Sequence, residues 1–301
     1  MLSLTPDNLN QRFGIDGLLY FVQDRGPLVE AVIRSPLATA RIALQGAQVL
    51  DFQPDGESPV IWTSHAARFE LGRSVRGGIP VCWPWFGAHP DNLPAHGFAR
   101  NRIWTPLDTA PEGDGVRIRF GLDPESDMQA MWPYLFLLRL EVHVARTLTL
   151  SLTTRNIGDT SFSLTQGLHT YLRVGDIDEV QVSGLEGSYY LDKVRGMTRD
   201  YQDSPLRFEG ETDRIFMGTA CECVISDPTL NRRIRVGKSG SHSTVVWNPG
   251  RERAGQFPDM HRDEYKEMVC VEATNAGQDI IHIPPGGQHT LETRIGVERL
   301  T

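Results

Sequence analysis

Glu272 and His169 carry the strongest chemical signal in this chain of 301 residues. Glu272 stands in the run Val269-Cys270-Val271-Glu272-Ala273-Thr274-Asn275, where it interrupts an otherwise apolar strand. A buried carboxylate is costly unless it is hydrogen-bonded or functional. Burial also raises its pKa, which suits it to general-base work. An ion pair with one of the many arginines would satisfy it as well. His169 stands in Gly167-Leu168-His169-Thr170-Tyr171-Leu172. Period-two alternation places Phe162, Leu164, Gln166, Leu168 and Leu172 on one face. Ser163, Thr165, Gly167, His169, Tyr171 and Arg173 take the other. That polar face meets solvent or lines a groove, and Gly167 would leave a ligand room to approach the backbone.

Two further stretches have binding chemistry. Residues 74–87 read SVRGGIPVCWPWFG. The paired glycines permit an irregular backbone beside Arg76, and the prolines between Trp83 and Trp85 block ordinary ladder bonding. Such aromatics suit the C–H face of a sugar or a core plug, and Arg76 suits an anion. The run is not a phosphate-cradling P-loop, because it lacks the terminal Gly-Lys-Ser/Thr. Residues 96–101 read HGFARN, a polar turn in which His96 and Arg100 either meet substrate or make structural hydrogen bonds.

The elements that must hold these residues are strands. Leu148, Leu150 and Leu152 alternate with Thr and Ser, residues 156–159 read as a turn, and the strand through His169 follows, which predicts an antiparallel hairpin. Further strands are expected at 28–34, 41–45, 116–120, 139–145, 221–226, 234–236, 244–247, 268–272 and 289–297. Long helices of 3.6 periodicity are absent, and residues 251–266 hold at most a short one. Many short strands without alternating helices predict an all-β sandwich of antiparallel sheets. No linker, charge block or repeat divides residues 1–301, so a single domain is expected.

Composition bounds the partners. With 40% apolar and 23% charged residues the chain can build a core. Its net charge of −8 argues against nucleic acid, which needs extended positive charge. A small anion remains open, because a few arginines reverse a local field. No basic-then-apolar leader and no apolar run of membrane-spanning length are visible, so a cytoplasmic protein without a membrane partner is expected. Cys221 and Cys223 lack the spacing of a structural zinc pair. Reduced thiols, mostly buried in strands, are the expectation for all four cysteines.

Taken in order, six segments resemble the aldose 1-epimerase superfamily, specifically its hexose-6-phosphate mutarotase branch. They are RGGIPVCWPWFG at 76–87, PAHGFAR at 94–100, LHTYLRVGDI at 168–177, ETDRIF at 211–216, VVWNP at 245–249 and VCVEATN at 269–275. The resemblance implies a large antiparallel β-sandwich with few short helices and a groove across one sheet. It implies interconversion of the α and β anomers of a sugar phosphate such as D-glucose 6-phosphate, with no metal or other cofactor, in a monomer. By motif, Glu272 is then the general base for the anomeric hydroxyl and His169 the general acid toward the ring oxygen. Arg76 and Arg100 match anion-binding positions, His96 and Asp213 match sugar contacts, and Trp247 and Asn248 match the pocket wall.

Departures from the family pattern bear on the substrate. Galactose mutarotases usually carry Asn where this chain has Leu168. Their early Gly-Arg-x-Ala-Asn-Arg-Ile segment is only partly matched at 98–103, and both differences argue against free galactose. Ala95 stands where some phosphate-branch members carry Gln. Two other readings stay open at this level: a non-catalytic sugar-phosphate binding module, and a mutarotase for free aldoses.

Overall fold

In Phe136–Val144 and in Leu148–Asn156 every second side chain is buried, the signature of strands with one face on a core. The computed structural model describes residues 4–300, so the first three residues of the stretch read for a leader lie outside it. Two eight-stranded antiparallel sheets form the sandwich. One runs in the order Gln181–Ser183, Cys223–Asp227, Arg232–Ser239, Gln288–Arg299, Leu148–Asn156, Phe136–Val144, Gly115–Leu122, Thr105–Glu112. The other, which carries the site, runs Thr198–Gln202, Ser188–Asp192, Thr212–Met217, Ser243–Asn248, Met268–Asn275, Gln166–Leu168, Val81–Cys82, with Tyr171–Arg173 also on Met268–Asn275. A four-stranded sheet is built from residues 19–54, and Phe162–Leu164 pairs separately with Ile281–Ile283.

The main core lies between the large sheets, where Phe120, Leu140, Leu152 and Ile295 share one cluster with Phe216, Val246, Val269 and Val271. Trp83 is fully buried in it and donates from Nε1 to Thr154 Oγ1 at 2.9 Å, tying the aromatic loop to the opposite sheet. Among the described residues only three short helices occur, Pro6–Phe13, Ser126–Met131 and Gly250–Ala254, and none is long and apolar enough to cross a membrane. The last one, followed by the 3-10 turn Glu264–Glu267, is all that residues 251–266 yield.

The hairpin predicted around the 156–159 turn does not form. Leu148–Asn156 pairs with Phe136–Val144 and Gln288–Arg299, while the His169 segment belongs to the other sheet. Asn156 redirects the chain: its amide donates to the carbonyls of Thr160 and Ile283, and its Oδ1 accepts from Gly158 N–H. The predicted single strand is also broken into three, Phe162–Leu164, Gln166–Leu168 and Tyr171–Arg173. The first break is held by the aromatic loop, whose Pro84 carbonyl accepts from Thr165 N–H.

Candidate active site

Met268–Asn275 is the one strand that explains Glu272. It is buried at all eight positions. Val269, Val271 and Ala273 enter the main core, while Met268 and Cys270 pack on the opposite face against Trp62 and Tyr171. Glu272 shares that second face by the two-residue period. Its register neighbour is Val245, and Cys270 lies opposite both Trp247 and Tyr171.

His169 sits at the junction of two short strands that both pair with Met268–Asn275. Its N–H donates to Pro80 O at 3.0 Å, and Tyr171 N–H donates to Gly78 O at 3.0 Å. The Arg76 loop therefore lies directly alongside. That approach requires its glycines: Gly77 and Gly78 have φ of +109° and +69°, and a Cβ on Gly78 would lie 2.3 Å from Val49 O. The room expected beside Gly167 is not there, because a Cβ at that position would meet the Phe86 ring at 2.8 Å. The glycine makes way for Phe86 rather than for a ligand.

A cavity of about 360 Å³ opens over these residues. His169 and Glu272 both line it, with His169 Nδ1 3.4 Å from Glu272 Oε1. Glu272 is 1% exposed, and neither of its oxygens nor His169 Nδ1 has a hydrogen-bond partner. No arginine neutralises the carboxylate, so the alternative of a simple ion pair falls. Burial, followed by the charge of Asp213, pushes the Glu272 carboxyl well up. Burial, followed by the charges of His96, Arg100, Arg76 and Lys193, pushes His169 well down. Both groups are thus driven toward their neutral forms, carboxylic acid and imidazole.

His96 and Asp213 line the same cavity. His96 Nδ1 accepts from Gly87 N–H at 3.3 Å, which leaves Nε2 as the hydrogen-bearing nitrogen. Burial pushes its pKa down to about 3, so it is a neutral donor. Gly97, at φ +74°, lets this turn press on the aromatic loop: a Cβ there would lie 1.9 Å from Trp83 O. Asp213 pairs with Lys193 Nζ at 2.7 Å, and burial raises its carboxyl against the pull of that lysine.

Arg76 and Arg100 both reach the cavity wall. Arg76 bonds Asp259 Oδ1 at 3.1 Å and Tyr171 Oη at 3.3 Å, and lies over the Phe257 ring. Arg100 donates to Ala95 O at 2.7 Å, while its buried Nε has no partner. Trp247 also lines the cavity, edge-on to His169 at 5.8 Å. Asn248 does not. It is 1% exposed and spent on backbone, donating to Tyr265 O and Met268 O and accepting from Gly250 N–H.

Sequence reasoning missed Lys193 and Arg253, two more cations on the cavity wall. Neither lies in a motif-like run. Lys193 follows directly on the strand Ser188–Asp192, and only the pairing of that strand with Thr212–Met217 brings it to Asp213. The closest set of metal-type donors among the described residues is His169, Cys270 and Glu272, with one donor atom from each within 4.8 Å of the others. Cys270 packs in an apolar cluster with Trp62 and Met268, so the trio is a buried imidazole and carboxyl beside a core thiol.

Comparison with known proteins agrees with this geometry. The aldose 1-epimerase family profile matches residues 31–296. A protein of Escherichia coli K12 named "Putative glucose-6-phosphate 1-epimerase" is 40% identical over 249 residues, covering 82% of this chain and 83% of that protein. One of the same name from Cenchrus ciliaris is 36% identical, covering 82% and 78%. The crystal structure of a "putative mutarotase" from Salmonella typhimurium superposes with a TM-score of 0.88 at 34% identity, over 99% of this chain and 96% of that one. A galactose mutarotase-like protein of Lactobacillus casei shares the fold, with a TM-score of 0.72 at 15% identity, over 89% and 100%.

Proposed function

The chain belongs to the aldose 1-epimerase family and is an isomerase of that type, and we propose that its substrate is a hexose 6-phosphate, D-glucose 6-phosphate foremost. The observation that carries the phosphate is the charge of the cavity. Arg76, Arg100, Lys193 and Arg253 line it against Glu211, Asp213 and the Asp259 that holds Arg76, which leaves one cation in excess while burial holds Glu272 toward its neutral form. A locally positive cavity in a chain of net charge −8 selects a small anion by focusing the field in one cleft. The unpartnered Nε of Arg100 is a donor that an oxyanion would satisfy. The relatives named for glucose 6-phosphate support the same substrate.

The reaction needs one proton taken and one given. The base removes the proton of the C1 hydroxyl, the C1–O5 bond breaks as C1=O1 forms, and the acid protonates O5. Rotation about C1–C2 and the reverse steps close the other anomer. His169 and Glu272 together hold one exchangeable proton in two arrangements, imidazole with carboxylic acid or imidazolium with carboxylate. Burial favours the first in the free protein. A phosphate dianion beside Arg76 and Arg100 offsets the positive charges that depress His169, and so favours the second, in which Glu272 is base and His169 acid. Ring opening passes the proton between them, and closure returns it. His96 and Asp213 orient the hydroxyls, and Trp247 forms part of the wall beside the sugar.

The test is one-dimensional exchange NMR of α and β anomers with wild-type protein. Glucose 6-phosphate should exchange faster than its spontaneous rate, and faster relative to that background than free glucose or galactose. Equal acceleration of the free sugars would overturn the phosphate assignment.

A further inference from the structure

Nδ1 of His169, the nitrogen that faces Glu272, is buried without a hydrogen-bond partner. An imidazole turns about a broad χ2, so a ring that must keep one edge toward a carboxylate needs its plane restrained. The surroundings supply one made of rings. Tyr171 lies face to face with His169, centroids 4.8 Å apart and planes inclined by 11°. Behind it Trp62 stacks on Tyr171 at 5.8 Å and 18°. Trp247 closes edge-on against both His169 and Tyr171, each at 5.8 Å. Turning the imidazole out of plane would drive its edge into Tyr171.

Tyr171 is itself fixed. It is 4% exposed, its N–H and C=O are bonded to Gly78 and Trp62, and its hydroxyl meets Arg76 at 3.3 Å. We propose that Tyr171 is the positioning residue of His169: its ring, backed by Trp62, aims the imidazole at Glu272, and its hydroxyl ties that aim to Arg76. The side chain does its work through His169 and takes no proton. Burial pushes its phenol well up, consistent with a hydroxyl that stays protonated.

The inference rests on the hexose-phosphate reading only for its kinetic arm. Tyr171→Leu removes the stack and should lower kcat by about 10²-fold, the scale of an ångström-sized misplacement, with a smaller change in KM. Tyr171→Phe keeps the ring and should recover most of kcat, leaving its main effect in KM through Arg76. Loss of kcat in Tyr171→Phe equal to that in Tyr171→Leu, or full kcat in Tyr171→Leu, would overturn the proposal. A spectroscopic arm needs no substrate. The ring protons of His169, identified by their disappearance in His169→Gln, should resonate upfield in wild type and in Tyr171→Phe because they lie over an aromatic face. A His169 resonance at the position of exposed histidines in wild type would refute the stack, even if Tyr171→Leu failed to fold. An upfield signal without any epimerase activity would sink the functional reading and leave the stack standing.

Discussion

His169 Nδ1 stands 3.4 Å from Glu272 Oε1, and neither atom has a hydrogen-bond partner. Two buried titratable groups that satisfy nobody else are poised to exchange protons with a third party placed between or above them. Strongly shifted groups placed together in a cleft are what the proposed acid–base role requires.

The pair fixes the sign of the pH dependence. It is competent with one proton and fails with two or none, so kcat/KM should be bell-shaped. The acid limb is entry of the second proton. Since burial drives His169 below its ordinary value of 6.5, that limb should lie below 6.5. The alkaline limb is loss of the last proton, and burial of Glu272 moves it above the ordinary carboxylate value of 4.5. Both limbs belong to the pair rather than to either residue. Steady-state kinetics from about pH 4 to about pH 10 would show it. An acid limb at or above 6.5 would contradict the account.

Arg76 offers a separate handle on substrate choice. Arg76→Ala should weaken glucose 6-phosphate by roughly 10- to 100-fold in kcat/KM, the value of a charge-assisted hydrogen bond of about 1.5–3 kcal/mol. It should leave free glucose little changed. In wild type, added phosphite dianion should speed the anomerisation of free glucose by filling the anion end. Phosphite that inhibits or does nothing, together with an unaltered phosphate preference in Arg76→Ala, would dismiss the arginine assignment.

Gly97 tests the turn that carries His96. An alanine there must adopt φ near +74° and place its Cβ 1.9 Å from Trp83 O. The left-handed backbone alone costs about 1–2 kcal/mol, and the clash adds to it. Gly97→Ala should therefore lower the urea midpoint and reduce activity together. Unchanged stability would show that the turn is softer than this packing implies.

The sequence made the chemistry legible where alternation decides a face. Glu272 stands out because the four residues that lead to it, Met268 to Val271, are all apolar, and both faces of the strand are indeed covered. The same period places His169 and Tyr171 on one face, where their rings stack. Partners were less legible. Alternation says which side a residue faces and nothing about which strand lies beside it, so it does not reveal that Leu148–Asn156 pairs with Phe136–Val144 and Gln288–Arg299 instead of the segment after residues 156–159. Lys193 reaches Asp213 only through a long-range register. Asn248 sits next to the cavity-lining Trp247, but neighbours on a strand point to opposite faces, and its amide serves the backbone behind.

The central claim is tested most directly by two-dimensional exchange NMR of glucose 6-phosphate anomers with wild type, His169→Ala and Glu272→Gln, each checked for folding by circular dichroism. Wild type should raise the α–β exchange rate above the spontaneous one, and each variant should lose about 10²- to 10⁴-fold of that enhancement, the scale of a general acid or base. Folded variants that exchange the anomers as fast as wild type would contradict the account.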